Sequence, residues 1–299
     1  MLQLSDLQTA VETAGLAEFW PRLAAHCRPS IRLLPRASEL AEPLAMGRSR
    51  LGGRPDLPAQ AIWPTWEGRS LSFLAQIKLA DLAPYEAATV LPGTGLLSFF
   101  YDALQQPWGY DPAQRGQAVV LFHEATALLS PRPLPADLTA EEYTAFPAAA
   151  VAFAAEMTLP NPWEEEIGIA ADELSEDQRQ AYGRLLLFQH GDGTSRLLGN
   201  PDALQGPMRE ECALVTRGIN TGSTEARQQT LQAQSLTPDQ AAEIAQQTAS
   251  EWQLLLQLDS HEEEAQMMWG DMGRLYFWIN RADLAKHDFS RVWQILQCY

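Results

Sequence analysis

Two stretches begin like the motif of zinc hydrolases. His261-Glu262-Glu263-Glu264-Ala265 and His123-Glu124-Ala125-Thr126-Ala127 each offer a His-Glu pair, but alanine stands where a second imidazole must reach the metal one helical turn on. Neither stretch can put two imidazoles on one helix face, so no stoichiometric zinc or iron, and no cofactor, is expected. The acidic loop 259–264, with Asp259, Glu262, Glu263 and Glu264 and with Asp271 nearby, has the oxygens a hard cation takes. It lacks the alternating ligands and mid-loop glycine of a calcium hand and reads as a solvated acidic loop.

Phosphate chemistry fares no better. A phosphate-cradling loop needs Gly-Lys-Ser/Thr, and neither Lys78 nor Lys286, the only lysines, follows a glycine. The run GDGTSRLLG has Arg196 where a dinucleotide loop needs its third glycine, and reads as a hairpin turn. No serine sits in G-x-S-x-G. Cys27 and its neighbour His26 point apart on a helix, and Cys212 and Cys298 lie in apolar stretches that suit buried thiols. No catalytic residue is assigned.

Two sets of residues suit recognition instead. Gln76 and Gln257 each interrupt an otherwise apolar strand. A buried amide must find partners, so each either ties down a neighbouring loop or faces a groove and reads a polar ligand. Trp63 and Trp66 flank Pro64, and Trp269 stands beside Gly270 and Asp271. Tryptophan in a loop serves as an interface anchor or as a corner of the core. The candidate ligand or partner residues are therefore Trp63, Trp66, Gln76, Gln257, Trp269 and Asp271.

The elements that must position them are short strands with a few helices. Residues 1–30 form an N-terminal helical segment, with Ser5 and Gln8 as a capping box and Leu7, Val11 and Ala14 on one face. A connector, RPSIRLLPRAS, follows. LSFLAQI, LLSFFY and AVVLFHE read as strands of a first half over 50–125. Residues 130–166, rich in proline, alanine and acid, read as an irregular insertion in which LTAEEYTAF forms a short helix. Ser175 with Gln178, and Thr237 with Pro238 and Gln240, open two more helices. WQLLLQLDS and RLYFWIN supply strands of a second half over 185–299, and DFSRVWQILQCY fits either a helix or an edge strand. In RLYFWIN, Leu275, Phe277 and Ile279 share one face and Tyr276 and Trp278 the other, so the strand should be covered on both sides.

The halves echo each other. Gly273-Arg274-Leu275-Tyr276-Phe277 lines up with Gly95-Leu96-Leu97-Ser98-Phe99, Leu255-Leu256-Gln257-Leu258 with Leu74-Ala75-Gln76-Ile77, and Leu198-Gly199-Asn200-Pro201-Asp202 with Gly52-Gly53-Arg54-Pro55-Asp56. Three matches in one order suggest an internal duplication. The expected fold is a single α+β domain over 1–299, with mainly antiparallel sheets in two related halves, an N-terminal helix and peripheral helices.

The run from Leu51 to Tyr101, the stretch RLLGNPDALQGPM, and the segment from LLLQLDSHEEE to FSRVW together resemble the YwqG-like family, a bacterial domain of unknown function. The resemblance implies one α+β domain of cytoplasmic bacterial proteins and brings no catalytic residues with it.

Composition narrows the partner. A formal charge of −17 repels nucleic acid and anionic membranes, so the expected partner is a protein with a basic surface. Three widely spaced cysteines fit a reducing compartment. Asp6 and Glu12 spoil the start as a signal peptide, and the longest apolar run, 148–155, is too short to span a bilayer, so a cytoplasmic location is expected. Non-catalytic binding of an immunity-type or regulatory partner is the leading reading. The alternative is an enzyme or small-ligand binder with its site in the cleft between the halves, using Asp271, His261 or Arg54.

Overall fold

The computed structural model describes residues 3–37, 45–124, 128–161, 167–169, 173–188 and 194–299. Helix α1 (Leu4–Thr13) buries Leu7 and Val11, and α2 (Trp20–His26) follows it. The cap lies two residues earlier than the sequence suggests: the Gln3 N–H donates to the Asp6 carboxylate at 2.8 Å, and Ser5 is already helical.

The expected connector is instead a ten-residue strand, β1 (Arg28–Ala37). Its prolines are tolerated for a geometric reason. The Leu33 N–H donates to Ser195 O at 2.9 Å, so Pro29 and Pro35, an even number of residues away, turn their missing N–H to that same side. The neighbour there pairs only with Ile31 and Arg32, and no ladder bond is lost. The first half then runs through β2 (Arg50–Leu51), β3 (Asp56–Pro58), the small hairpin β4 (Thr65–Trp66) and β5 (Arg69–Ser70), β6 (Ser72–Lys78), β7 (Leu96–Tyr101) and β8 (Ala118–His123).

After β9 (Leu129–Pro131) comes a second correction. The region 130–166 holds β10 (Ala149–Thr158), which pairs with β1 along its whole length, whereas LTAEEYTAF forms turns rather than a helix. Alanine is a weak strand former, and pairing between two long strands overrides that preference here. Residues 162–166 and the glycine turn at 191–193 lie outside the described residues. Helix α3 (Glu176–Phe188) opens on the expected Ser175–Gln178 exchange, at 2.9 and 3.2 Å. Then follow β11 (Arg196–Leu197), α4 (Arg209–Val215), α5 (Thr224–Ala233), α6 (Pro238–Thr248) with its Thr237 capping box, β12 (Trp252–Asp259), α7 (Glu262–Ala265), β13 (Arg274–Asn280), α8 (Arg281–Leu284) and β14 (Trp293–Gln297).

Ten of these strands form one antiparallel sheet in the order β14-β13-β12-β11-β1-β10-β2-β6-β7-β8. The long pair β1 and β10 is central, and each wing carries a two-residue strand followed by three longer ones. The sheet curls until it nearly closes. Phe99 of β7 meets Phe277 of β13 edge-on, with centroids 5.3 Å apart, and near the two ends the Leu296 N–H donates to Trp108 O at 2.9 Å. The enclosed face is the main core, shared by Leu97, Phe99 and Tyr101 from one wing and Leu275, Phe277 and Ile279 from the other.

The outer face is covered patch by patch. Helix α4 packs on Tyr276, Trp278, Trp293 and Ile295, and the loop bearing Trp63 and Trp66 packs on Phe73 and Phe100. Helices α1, α2 and α3 share a separate apolar cluster. The five residues Leu275–Ile279 are all fully buried, so β13 is covered on both sides as its sequence suggests. No helix of the described residues is long and apolar enough to cross a membrane.

Candidate functional site

Gln76 in β6 and Gln257 in β12 are fully buried and committed to neighbouring loops. Gln76 Oε1 accepts the Asp56 N–H at 2.9 Å, while its Nε2 donates to Arg48 O at 2.7 Å and to the Asp56 carboxylate at 2.8 Å. Gln257 Oε1 accepts the Asp202 N–H at 2.8 Å, and its Nε2 donates to Thr194 O at 2.6 Å. Of the two readings open for these amides, the loop tie describes both, and neither amide is left to read a ligand in a groove. An unpaired amide here would cost about 1–3 kcal/mol.

The same chain positions recur around both ties. Ser49 Oγ accepts the Lys78 N–H at 3.0 Å, and Ser195 Oγ accepts the Asp259 N–H at 2.9 Å. Arg50 Nη1 donates to Arg54 O and Arg196 Nη1 to Asn200 O, each at 3.2 Å. Both β6 and β12 carry a bulge, beside Leu74 and Leu255, whose carbonyls accept the Gly52 and Leu198 N–H groups. Gly52 and Leu198 both have positive φ, at 56° and 61°.

The charges differ between the wings. Asp56 pairs with Arg50 at 2.7 Å on one side. On the other, Asp202 pairs with Arg274, Arg274 also holds Asp259 at 3.2 Å, and Arg196 turns to Glu156 at 3.2 Å. Burial pulls the Arg50 guanidinium below its ordinary pKa against the pull of Asp56; at Arg274 burial is outweighed by Asp202 and its neighbours, and the pKa rises. These pairs are deeply buried and fix loop positions more than they add stability.

One arrangement has the composition of a nucleophile relay. Ser195 Oγ lies 2.7 Å from His261 Nε2, and His261 Nδ1 lies 3.5 Å from Glu264. Two observations make it a structural clasp. Ser195 is fully buried. Its Oγ also performs the backbone task that Ser49 performs on the other wing with no histidine present. Burial pushes the His261 ring below its ordinary pKa of 6.5, and Glu264 and Asp259 recover only part of the shift. Arg54 and Asp271 are exposed, and no hydrogen bond or ion pair joins either of them to His261.

Trp269 is not at the surface, which corrects its placement as a partner contact. It is fully buried, its Nε1–H donates to Asp259 O at 3.1 Å, and its ring meets Tyr101 and Phe146 edge-on at 5.8 and 5.6 Å. Gly270, at φ 56°, turns the chain so that Asp271 alone of the pair is exposed. Trp63 and Trp66 are half-buried. Trp63 Nε1–H donates to Leu71 O at 2.9 Å and its ring meets Phe100, so both tryptophans cover the outer face of the first wing.

The sequence reading missed a corner beside Asp271. Gln106 clamps the 102–109 loop to the Trp-Gly-Asp turn, accepting the Gly270 N–H at 2.7 Å and donating to Met268 O at 3.2 Å. The Tyr299 N–H donates to Asp271 O at 3.2 Å. These bonds join the segments that carry Leu104, Trp108, Met272 and Tyr299, which are 51, 42, 51 and 70% exposed. Only Asp271 of this corner had a signal, through its neighbouring tryptophan; the rest come from a loop with no motif.

The described residues also line cavities. One of about 140 Å³ lies between the β7–β8 connection and β14, one of about 200 Å³ beside Gly199 and Arg209, and one of about 380 Å³ between α4, α8 and Arg115. Glu262 and Glu263 point to solvent, while Asp259 and Glu264 are engaged as described; among the described residues no three His, Cys, Asp or Glu side chains are grouped to hold a metal ion. His123 is half-buried and residues 125–127 lie outside the described residues. The three thiols are buried, and burial pushes Cys27 up to about 11.

A nearly closed antiparallel sheet with helices on its outer face, and chemistry spent on internal ties, defines a mixed α and β protein. The chain belongs to the family described as Domain of unknown function (DUF1963), whose model matches residues 49–298. A search of curated proteins finds no match.

Two outcomes follow from this geometry. Trp269→Ala and Trp278→Ala should each lower stability by about 3–5 kcal/mol in urea unfolding, because each empties a fully buried site; a loss at Trp269 within about 0.5 kcal/mol would mean a surface role. His261, with its folded pKa depressed, contributes stability that is complete above pH 6.5 and declines as the pH falls through the folded value. Its ring resonances should therefore titrate with a midpoint below 6.5, and the acid-side loss of stability should shrink in His261→Gln.

Proposed function

We propose that this protein is a non-catalytic binding protein that meets a protein partner of basic surface at the Asp271 corner. The observation that carries the reading is the set of four large apolar side chains, Leu104, Trp108, Met272 and Tyr299, held exposed by the Gln106 clamp beside an exposed carboxylate. Aromatic and methionine side chains in an otherwise acidic surface suit the centre of an interface, with charge steering the encounter. A regulatory or immunity-type partner fits this chemistry. The commitment of Gln76, Gln257, Ser195 and the buried ion pairs to internal bonds supports binding over catalysis.

The finer ancestry is part of the same proposal. We take the chain as a YwqG-like protein, cytoplasmic and bacterial, that arose by duplication of a unit holding a two-residue strand, a Gly-Pro-Asp turn and a glutamine strand. Matching ties at Gln76 and Gln257, at Ser49 and Ser195, and at Arg50 and Arg196 support it.

The test is a paired capture from the source organism. A protein held by the wild type should be lost, by tenfold or more, from Trp108→Ala/Met272→Ala, with the melting temperature of that variant within a few degrees of the parent. Equal recovery by a folded variant would remove the corner as the site.

A further inference from the structure

The cavity of about 380 Å³ gathers positive charge in a chain whose net charge is −17. Arg115 comes from the β7–β8 connection, Arg217 follows α4, Lys286 follows α8, and Arg291 precedes β14. These four cations share the lining with a single carboxylate, Asp283. We propose that this cavity is a binding site for a small phosphate-bearing molecule, a site distinct from the Asp271 corner and sharing no residue with it.

Among the described residues no carboxylate pairs with Arg115 or Arg217. Asp283 answers Arg291 at 3.6 Å, and the Asp288 carboxylate acts through space on Arg291 and Lys286. Arg115 spends one N–H on Thr216 O at 3.3 Å and lies over the Trp293 ring at 5.2 Å, and Arg217 donates to Ala213 O at 2.7 Å. Neither of these contacts supplies a negative charge. The Lys286 ammonium makes no hydrogen bond or ion pair with the described residues. Bringing four like charges from three segments to one concavity is repulsive, and a bound anion relieves that repulsion.

The size and walls of the cavity point the same way. The volume falls in the range of small-ligand sites and exceeds what one phosphate fills. The Trp252 ring and Ala282 offer an apolar wall for an organic group attached to the phosphate. Arginine forks suit phosphate oxygens in pairs, and the lysine adds a point charge.

The test uses calorimetric titration of the full chain with pyrophosphate, inorganic phosphate and citrate in about 0.1 M salt, where long-range attraction is screened. Pyrophosphate should bind saturably at one site per chain and more tightly than citrate. Lys286→Gln/Arg217→Gln should weaken it at least tenfold, while Lys78→Gln, which neutralises the other lysine, should leave it unchanged. Both altered side chains are exposed, and unchanged melting temperatures will separate lost binding from lost folding. No saturable binding, or equal binding by the double variant, would overturn the site. Citrate binding as tightly as pyrophosphate would overturn the phosphate assignment. Either failure leaves the protein-partner reading untouched, because that reading rests on the Asp271 corner.

Discussion

The edge-on contact of Phe99 with Phe277 expresses the constraint from which the remaining structure follows: one face of a ten-stranded sheet serves as its own core. Side chains from both wings must meet inside it, so any polar group on those strands has to be answered by protein. Gln76 and Gln257 stand on the opposite face, across from Ser98 and Tyr276, and are answered by the loops that follow β2 and β11, which pins those loops to the sheet. The outer face needs cover as well, because β13 carries Tyr276 and Trp278 there, and α4 supplies it. Burial of the amides, placement of the loops and position of the helix thus follow from covering the face that the closure leaves outside.

That closure also decides where function can reside. Ion pairs such as Arg50–Asp56 and Arg274–Asp202 sit where desolvation is severe, and they are satisfied within the chain. Ser195 and His261 resemble reactive groups in type but hold the end of β12 against β11. The two candidate surfaces face solvent near the two ends of the curled sheet, where the β7–β8 connection crosses to the C-terminal strand. The Asp271 corner and the cationic cavity are both built there from segments distant in sequence.

Much of this fold was legible in the sequence, and the misses have physical causes. The apolar strands β6, β7, β12 and β13, the capped helices α3 and α6 and the two-sided burial of β13 all follow from local pattern. β1 and β10 did not, because proline and alanine mask strands whose stability comes from pairing with each other over ten residues. Of the candidate site residues, the glutamines are buried polar groups that must be satisfied, and loop groups satisfy them. Trp269 was misplaced because a tryptophan before a Gly-Asp turn reads the same whether the ring folds inward or outward; Tyr101 and Phe146, far away in sequence, decide it. Leu104 and Trp108 had no signal, since exposure of a loop side chain is set by what the loop is clamped to.

The claim that the wings share one core is tested most directly by a double-mutant cycle on Phe99→Leu and Phe277→Leu, read by chemical denaturation. A ring pair in edge contact should give a coupling energy of about 0.5–1.5 kcal/mol, with a single unfolding transition in all four proteins. Strict additivity, with coupling below about 0.3 kcal/mol, or two separate transitions assignable to the two wings, would contradict it.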